Sequence, residues 1–532
     1  MTLLNLPSHF TKLRPHQVRA ISQVQAHYND GKKYVFLDAP TGSGKTVIAE
    51  YVRQLNQWQA VYTCMTKSLQ NQFTTEFDYA ALLKGRNNYP SEKLPHVCAD
   101  ECQNQIKPGF CSYCTSSLTC PYQVAKDTAK DSELAVLNLD YLLLSCRVPD
   151  SGFGGRALCI IDEADELENK LMDFVTISIS HRQQGILGIK PPNIKTYEAR
   201  GSFRDWKEWA YETAERVTEY RAGLDKREQI KSYMYYTHLR KKLYTLYDSI
   251  TTDPPTSNWI YVYDSKASKS AITFKPIHVQ DTAAETLLDY QRRFLFMSAT
   301  IVPEIEAEKL GIERGEYGIV TVPSTFPASN RPIYPIPVGS MAFKKRRETV
   351  PKVLQTIQTI LDKHPAERVI VHTHTAHLAK QIAGGLRAQS KRPIYTYEGA
   401  GERDQALANY KSVSESVLVA MSMARGIDLP DDLCRVQVIA LLPRLPINDQ
   451  QISYRMHRTK GGNLWYNYFT IRSLVQATGR GVRSKDDHAV TYVLDSQFLD
   501  FHRSYERFFP TWWNEAVIWD GKMSKEILDR GE

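Results

Sequence analysis

The chain has 532 residues, of which 42% are hydrophobic, and its 67 basic and 59 acidic side chains give a net charge of +8. At roughly 150 residues per domain this length predicts three or four domains, and the mild basic excess permits a nucleic-acid partner without requiring one. No apolar run approaches the roughly 18–20 residues of a membrane span, and the first residues lack the apolar core of a secretory signal. These observations exclude the membrane-spanning and secreted classes, so we expect a cytoplasmic protein.

The first strong signal along the chain is a phosphate-binding loop. The apolar run YVFL precedes DAPTGSGKT, and the amphipathic pattern VIAEYVRQL follows it, which predicts a strand, a loop and a helix. Glycines in such a loop let backbone N–H groups approach phosphates. We expect Lys45 to reach the β- and γ-phosphates and Thr46 to ligate magnesium. The predicted nucleotide-binding residues of the loop are Thr41, Gly42, Ser43, Gly44, Lys45 and Thr46.

Five of the nine cysteines lie in one short stretch, CADECQNQIKPGFCSYCTSSLTC. Disulfides are rare in the cytosol, so this clustering favours a metal site. The closely spaced Cys111 and Cys114, followed by Cys120, would supply three thiolate ligands. Cys102 is preferred as the fourth ligand because it keeps the loop compact, and Cys98 is the alternative. Zinc is disfavoured because Cys₄ zinc sites commonly carry two CxxC pairs and this stretch carries one.

The next predicted strand, ALCII, ends in the acidic signature DEAD. Downstream of a phosphate-binding loop, Asp162 is the natural carboxylate for organising magnesium. Glu163 is placed to polarise the water that attacks the γ-phosphate.

An insertion between Leu167 and about Thr273 carries two segments with helical spacing of apolar residues, which predicts a helical hairpin. We interpret its aromatic stripe as core rather than as a binding surface. The residues at helical spacing are Trp206, Trp209, Ala210, Val217 and Tyr220 in the first segment, and Tyr236, Leu239, Leu243, Leu246 and Ile250 in the second.

Short continuous apolar runs recur in two groups, and polar signatures follow several of them. FLFM precedes SAT, RVIV precedes HTHT, and VLVA precedes MSMARGID. Such runs are typical of buried parallel strands, whose carboxyl ends carry ligand sites. The predicted fold is therefore α/β, with two doubly wound domains and two insertions in the first. The predicted boundaries are 1–82, 125–167 and 273–325 for the first domain, 83–124 for the cysteine insertion, 168–272 for the helical insertion, and 326–532 for the second domain.

The second domain carries QATGRGVR, from Gln476 to Arg483. Arg480 and Arg483 are three residues apart, so on a helix they share one face. An arginine that stabilises charge on the transferred phosphoryl group accelerates such reactions by roughly 10³–10⁵. Arginines supplied by the second domain would make hydrolysis depend on domain closure.

In this order the motifs resemble those of the superfamily 2 helicases, and more narrowly those of the XPD/DinG-like branch. LRPHQ resembles the adenine-sensing motif, with Gln17 as the base reader, and YTCMTKSLQNQF resembles a motif that contacts the DNA backbone. SAT resembles the motif that couples hydrolysis to movement, and HTHT lies where the fourth motif is expected. ARGIDL, with Gly426 and Asp428, and QATGRGVR, with Gln476, Arg480 and Arg483, resemble the fifth and sixth motifs.

One position departs from the pattern, because this branch usually carries DEAH where this chain has Asp165. DEAD also names a class of RNA helicases. Those proteins lack the cysteine insertion and have a different sixth motif, so the cysteines and QATGRGVR outweigh the single aspartate.

The resemblance implies two RecA-like motor domains that sandwich ATP and Mg²⁺, a [4Fe–4S] cluster on the cysteines, and an arch formed by the helical insertion. It also implies a monomer that moves 5′ to 3′ on single-stranded DNA and unwinds forked or tailed duplexes. The compact chain is similar to phage-encoded members, which suggests the cytoplasm of a bacterial or phage-infected cell. An RNA helicase, a translocase that does not unwind, and a zinc-stabilised nucleic-acid-binding switch are the alternatives.

Overall fold

The computed structural model describes residues 6–7, 10, 12–102, 119–146, 148, 151–192, 202–226, 228–252, 255–263, 271–421, 431–479, 481–482 and 487–529. In this part of the chain, two large parallel sheets each alternate with helices. A three-stranded antiparallel sheet and a two-stranded ribbon accompany them.

The first part of the chain alternates helices and strands up to the acidic signature. Its elements are α1 (Pro15–Asn29), β1 (Tyr34–Asp38), α2 (Lys45–Leu55), β2 (Ala60–Cys64), α3 (Lys67–Glu76), β3 (Ala81–Leu83), α4 (Pro121–Asp131), β4 (Leu134–Asn138), α5 (Leu139–Ser145) and β5 (Leu158–Asp162).

The next part contains the helical insertion and the return to the first sheet. Its elements are α6 (Leu167–Val175), β6 (Ile177–Ser180), α7 (His181–Leu187), α8 (Ser202–Ala222), α9 (Ile230–Ser249), β7 (Thr251–Thr252), β8 (Pro255–Thr256), β9 (Trp259–Tyr263), β10 (Ala271–Pro276), α10 (Gln280–Thr286), β11 (Phe294–Ser298), α11 (Pro303–Leu310) and β12 (Tyr317–Thr321).

The first sheet has seven parallel strands in the order β12-β1-β11-β5-β2-β4-β3. Both of its faces are covered, which explains why its strands are apolar throughout. In β1, Tyr34 and Phe36 belong to one core cluster, whereas Val35 and Leu37 belong to the cluster on the opposite face. The phosphate-binding loop follows β1 and the acidic signature follows β5, so both lie at the carboxyl edge of this sheet.

The helical insertion is built from α8 and α9, packed against the antiparallel sheet β6-β10-β9. Residues predicted as core from their spacing, including Trp206, Ala210 and Leu243, are buried there. The sheet was not predicted. Its strand β10 alternates buried and half-buried residues, which is the period of a strand with one covered face.

The described residues from Ile333 onward form a second α/β domain. Its parallel sheet has the strand order β13-β18-β17-β14-β16-β15. Its elements are β13 (Ile333–Gly339), α12 (Arg346–Lys363), β14 (Val369–His372), α13 (Ala376–Gln389), β15 (Ile394–Thr396), α14 (Ala400–Ser412), β16 (Val417–Ala420), β17 (Val436–Ile439), α15 (Gln450–Arg458), α16 (Gly462–Thr478), β18 (Val490–Asp495), α17 (Gln497–Tyr505), α18 (Thr511–Asn514) and α19 (Lys522–Asp529).

The α/β fold with two parallel sheets, predicted from the apolar runs, is therefore confirmed. Within the ranges that the structure describes, no helix has both the length and the apolar character that a membrane crossing requires.

Candidate active site

The phosphate-binding loop leads from β1 into α2 through two glycines with left-handed backbone. Gly42 has φ +77° and Gly44 has φ +83°, a region that other residues rarely adopt. Neighbouring side chains also fill the space that a Cβ atom would need: it would lie 2.3 Å from Phe326 at Gly42 and 2.2 Å from Gln17 at Gly44. The ammonium group of Lys45 lies within the loop and donates to the carbonyl oxygen of Ala39 at 3.3 Å.

The segment predicted to sense adenine holds the phosphate-binding loop directly. Arg14 Nη1 donates to the carbonyl oxygen of Gly42 at 3.1 Å, and His16 Nε2 donates to that of Ser43 at 3.0 Å. The buried Gln17 amide donates to the Ser43 carbonyl at 3.2 Å and accepts from the Arg14 backbone at 2.8 Å. Gln17 therefore links this segment to the loop, and Arg14 and His16 are loop contacts that sequence reasoning missed.

The carboxylate of Asp162 is fixed at the end of β5 by two donors. Its Oδ2 accepts from the hydroxyl of Tyr62 at 2.9 Å, and its Oδ1 accepts from the backbone N–H of Glu163 at 3.0 Å. Burial raises the pKa of Asp162, and the Lys45 ammonium opposes the shift. Tyr62 also hydrogen-bonds to the Thr46 side chain, so one buried hydroxyl joins the two residues predicted to organise magnesium.

Tyr62 was not predicted as a site residue, although it opens the segment that resembles a DNA-contacting motif. The signal available was its position near the end of an apolar strand beside β5. Glu163, the predicted water-polarising residue, has φ +51°. A left-handed backbone at a residue other than glycine stores strain, and such strain is common at functional sites.

The half-buried Asp38, at the end of β1, places a second carboxyl group near Lys45. Burial raises the pKa of Asp38 to about 7, although the Lys45 ammonium opposes the shift. Within the described residues its Oδ1 atom has no hydrogen-bond partner. Sequence reasoning missed this residue, whose only signal was an acid closing the run YVFL.

A buried network around Asp165 joins the two parallel-sheet domains. Its carboxylate accepts from Ser298 Oγ at 2.8 Å and from Thr300 Oγ1 at 2.9 Å, both in the SAT motif. From α16 of the second domain, Gln476 Nε2 donates to Asp165 Oδ2 at 2.8 Å. The guanidinium of Arg472, one helical turn earlier, donates to the Asp165 carbonyl oxygen. Three motifs that are far apart in sequence therefore meet at one carboxylate.

A second buried cluster extends this contact between the two domains, which we call the seam. It was not predicted. Glu168 on α6 pairs with Lys309 at 3.2 Å and with Arg455 of α15, and it accepts from Trp465 Nε1 at 3.1 Å. Burial alone would raise the pKa of Glu168, but Lys309 and Arg455 together lower it to about 2. The cluster therefore carries ionised groups from both domains through the interface.

Three of the clustered cysteines, Cys98, Cys102 and Cys120, lie in the described residues, and local contacts connect the segments around them. Cys98 pairs with Pro90 in an isolated bridge, and the buried Cys102 follows shortly after it. Cys120 directly precedes α4, and the neighbouring Thr119 hydroxyl donates to Glu92 at 2.5 Å. The two ends of the stretch are thus held on one small unit, and thiols are the donors that an iron–sulfur cluster requires.

Several predicted site residues lie outside the described residues: Cys111, Cys114, Gly426, Asp428, Arg480 and Arg483. Within the ranges that are described, no group of three or more His, Cys, Asp or Glu side chains is arranged to hold a metal ion.

Comparisons with known proteins agree with this architecture. A family model described as type III restriction enzyme, res subunit, matches residues 10–170, and one described as helicase C-terminal domain matches residues 357–516. A solved XPD helicase structure superposes with a TM-score of 0.62 at 16% identity, covering 96% of this chain and all of its own. This likeness shows the fold, with two RecA-like domains.

Curated relatives match over shorter segments. The regulator of telomere elongation helicase 1 homolog of Drosophila ananassae is 29% identical over an alignment of 139 residues that covers 22% of this chain. The ATP-dependent DNA helicase chl-1 of Caenorhabditis elegans is 26% identical over 137 residues, 24% of this chain. The chain covers only 14% and 16% of the lengths of these relatives. In motif order, in fold and over these matched segments, the chain is similar to the ATP-hydrolysing helicases of the XPD/DinG-like branch of superfamily 2.

Proposed function

We propose that this protein is an ATP-driven DNA helicase that moves 5′ to 3′ along single-stranded DNA and separates forked or tailed duplexes. The observation that carries the proposal is the hydrogen bond between Asp165 of the acidic signature and Gln476 of the second domain. A hydrolysis site that contains groups from both domains can convert ATP turnover into relative domain motion.

Each of these residues of the first domain would make its own contact with ATP, with Mg²⁺ or with the attacking water. Backbone N–H groups of the loop and the Lys45 ammonium bind the phosphates, while Gln17 contacts adenine. Thr46 and Asp162 would hold Mg²⁺, which neutralises charge on the β- and γ-phosphates. The hydroxyl of Tyr62 keeps Asp162 oriented, and Glu163 orients the attacking water.

The second domain completes this site when the domains close. Gln476 contacts the first domain through its hydrogen bond to Asp165. Arg480 and Arg483 would stabilise the charge that develops on the transferred phosphoryl group. Gly426 and Asp428, in the fifth motif, would bind the nucleotide from the second domain. Release of phosphate would remove the charge that Arg480 and Arg483 contact, which would loosen the second domain from the ATP site and allow a step along the strand.

The cysteine unit would hold a [4Fe–4S] cluster through Cys111, Cys114, Cys120 and Cys102, with Cys98 as the alternative fourth ligand. The cluster would cross-link a unit too small to have a large core of its own. No redox substrate is part of the proposal. Support comes from the thiols placed at both ends of a stretch that Thr119 and Glu92 hold together.

The proposed domain division follows the sheets. The first motor domain comprises 1–82, 125–167 and 273–325, and the second comprises 326–532. The cysteine unit occupies 83–124 and the arch-like insertion 168–272. Lys231 of α9 pairs with Asp100 at 3.2 Å and Glu101 at 2.6 Å, so the two insertions touch. We expect the protein to act as a monomer in the cytoplasm of a bacterial or phage-infected cell.

The test compares ATP hydrolysis by the full chain with no nucleic acid, with single-stranded DNA, and with RNA of the same sequence. Strand displacement is then measured on forks with a 5′ or a 3′ tail. We expect stimulation by DNA, unwinding from the 5′ tail, and loss of hydrolysis in Glu163→Gln with ATP binding retained. Stimulation by RNA alone would assign an RNA helicase, and DNA stimulation without strand separation would assign a translocase.

The iron, sulfide and zinc content of the purified protein tests the proposed cluster. Anaerobically purified protein is expected to contain about four irons and four sulfides per chain. Cys114→Ser should lose them, whereas Cys434→Ser, far in sequence from the cysteine stretch, should keep them. One zinc and no iron in the wild type would contradict the cluster and leave the ATP site unaffected.

A further inference from the structure

The loop between β13 and α12 presents an exposed aromatic side chain next to four cations. Phe343 is 87% exposed, the largest value among the large hydrophobic side chains in the described ranges. Lys344, Lys345, Arg346 and Arg347 follow it directly, and all but the half-buried Arg346 are exposed. We name residues 343–347 the Phe343 surface.

Packing and helix stability do not account for this arrangement. Among the four cations, only Arg346 makes a described side-chain hydrogen bond, from Nε to the carbonyl oxygen of Met341 at 3.2 Å, and no carboxylate in the described residues pairs with any of them. Arg346 and Arg347 begin α12, where the helix dipole disfavours positive charge. The cations therefore cost the isolated helix some stability, and Phe343 buries almost none of its ring.

The Phe343 surface lies at the same edge of the second sheet as the HTHT segment. All strands of the second sheet are parallel, so their carboxyl ends lie along one edge. The Phe343 surface follows β13 at that edge. The HTHT segment follows β14 at the same edge, where His374 Nε2 donates to the carbonyl oxygen of Arg444 at 2.7 Å. An extended polyanion lying along this edge could contact both segments.

We propose that the Phe343 surface is a contact site for single-stranded DNA, in which the Phe343 ring stacks on a base and the cations bind the neighbouring phosphates. Aromatic rings presented beside positive charge bind single strands without sequence preference, because every base has a stacking face. The inference rests on the proposed function and adds a grip in the second domain that lies outside the ATP site.

The experiment measures binding of a fluorescent oligothymidine to the full chain by anisotropy, across a series of salt concentrations. The test variants are Phe343→Ala, Phe343→Trp and the double variant Lys344→Ser with Lys345→Ser. The matched control is Lys391→Ser with Lys411→Ser. These two lysines are exposed and precede β15 and β16, so the control removes the same charge from the opposite edge of the sheet.

Phe343→Ala should weaken binding roughly 5- to 150-fold, the usual range for one stacked base, and Phe343→Trp should retain it. The double lysine variant should lower the slope of log affinity against log salt by about 1.4, or roughly 0.7 for each phosphate that is no longer neutralised by a lysine. The control should keep the wild-type slope, and ATP hydrolysis without DNA should be the same in all variants.

Wild-type affinity and slope in the test variants would overturn the inference, and so would an equal loss of affinity in the control pair. In both cases wild-type binding to DNA would leave the proposed function standing. Failure of the wild type to bind single-stranded DNA would overturn both.

Discussion

Gln476 donates a hydrogen bond to the Asp165 carboxylate at 2.8 Å, although the two residues are 311 positions apart. Gln476 also approaches Thr300 Oγ1 at 3.3 Å, and Thr300 itself donates to Asp165. One carboxylate therefore accepts hydrogen bonds from the SAT motif and from the second domain at the same time. Because Asp165 is fully buried, each of these bonds is made without competition from water.

Gln476→Ala should uncouple the two domains. The substitution leaves Asp165 with one donor fewer at a cost of roughly 1.5–3 kcal/mol, the range for a hydrogen bond to a charged group. We expect DNA-stimulated ATP hydrolysis to fall at least tenfold, with nucleotide affinity nearly unchanged. Steady-state hydrolysis and nucleotide titration measure the two effects. The exposed Gln405→Ala serves as the control, and equal loss of hydrolysis in both variants would contradict the coupling role.

Asp165→His should be harmful even though the related helicases usually carry histidine here. The carboxylate accepts from Ser298, Thr300 and Gln476, whereas a neutral imidazole has one acceptor nitrogen. The larger ring also has no free space at a fully buried position. Hydrolysis and the urea midpoint should both decrease. Wild-type values in both measurements would show that the surrounding donors can rearrange around histidine.

Tyr62→Phe tests whether the hydroxyl that joins Thr46 and Asp162 positions the metal-organising carboxylate. The ring remains packed against Phe73, with 4.1 Å between the ring centroids, so the fold should be retained. Loss of the 2.9 Å bond to Asp162 should reduce kcat roughly tenfold or more and raise the magnesium concentration for half-maximal rate. The control is Tyr397→Phe, whose buried hydroxyl has no partner in the described residues. A changed midpoint of thermal unfolding with an unchanged magnesium dependence would indicate a purely structural role.

The fold could be predicted where one physical signal dominated. Strands such as β1 and β5 are covered on both faces, so they appear in the sequence as continuous apolar runs that end in polar signatures. The antiparallel sheet β6-β10-β9 was missed because its strands are short and are separated by the long helices α8 and α9. Pairing of such distant segments depends on the tertiary fold and has no local signal.

The same difference applies to the site. Lys45 and Asp162 follow strands directly, so their positions at the sheet edge could be inferred. The partners that fix them could not, because Tyr62 lies 100 residues from Asp162 along the chain. The pair between Glu168 and Arg455 was missed for the same reason: a buried ion pair between domains is indistinguishable in sequence from two surface charges.

Asp38→Asn should stabilise the nucleotide-free protein, and the gain should depend on pH. The pKa of Asp38 is raised from 3.8 to about 7 in the folded state, so the folded state disfavours its ionised form. The resulting loss of stability is absent below about pH 4 and complete above about pH 7. At 1.36 kcal/mol per pH unit it reaches at most about 4 kcal/mol.

Thermal midpoints of Asp38→Asn and the wild type should therefore converge near pH 4 and separate by pH 8. The exposed Asp78→Asn should show no such divergence. A constant difference at all pH values would mean that Asp38 has an ordinary pKa in the folded protein.

Glu168→Gln should destabilise the seam between the domains, because it removes the carboxylate that pairs with the buried Arg455, whereas Lys309 keeps its pair with Glu306 at 2.8 Å. Breaking a buried ion pair from one side costs about 3–5 kcal/mol. The folded-state pKa of Glu168 is about 2, below its ordinary 4.5, so the wild-type advantage should be complete above pH 4.5 and shrink as the pH falls toward 2. Urea midpoints followed by tryptophan fluorescence at pH 7 and pH 3 measure this change. Glu308→Gln, an exposed position on the same helix as Lys309, is the control, and equal midpoints for the two variants would show that the seam contributes no measurable stability.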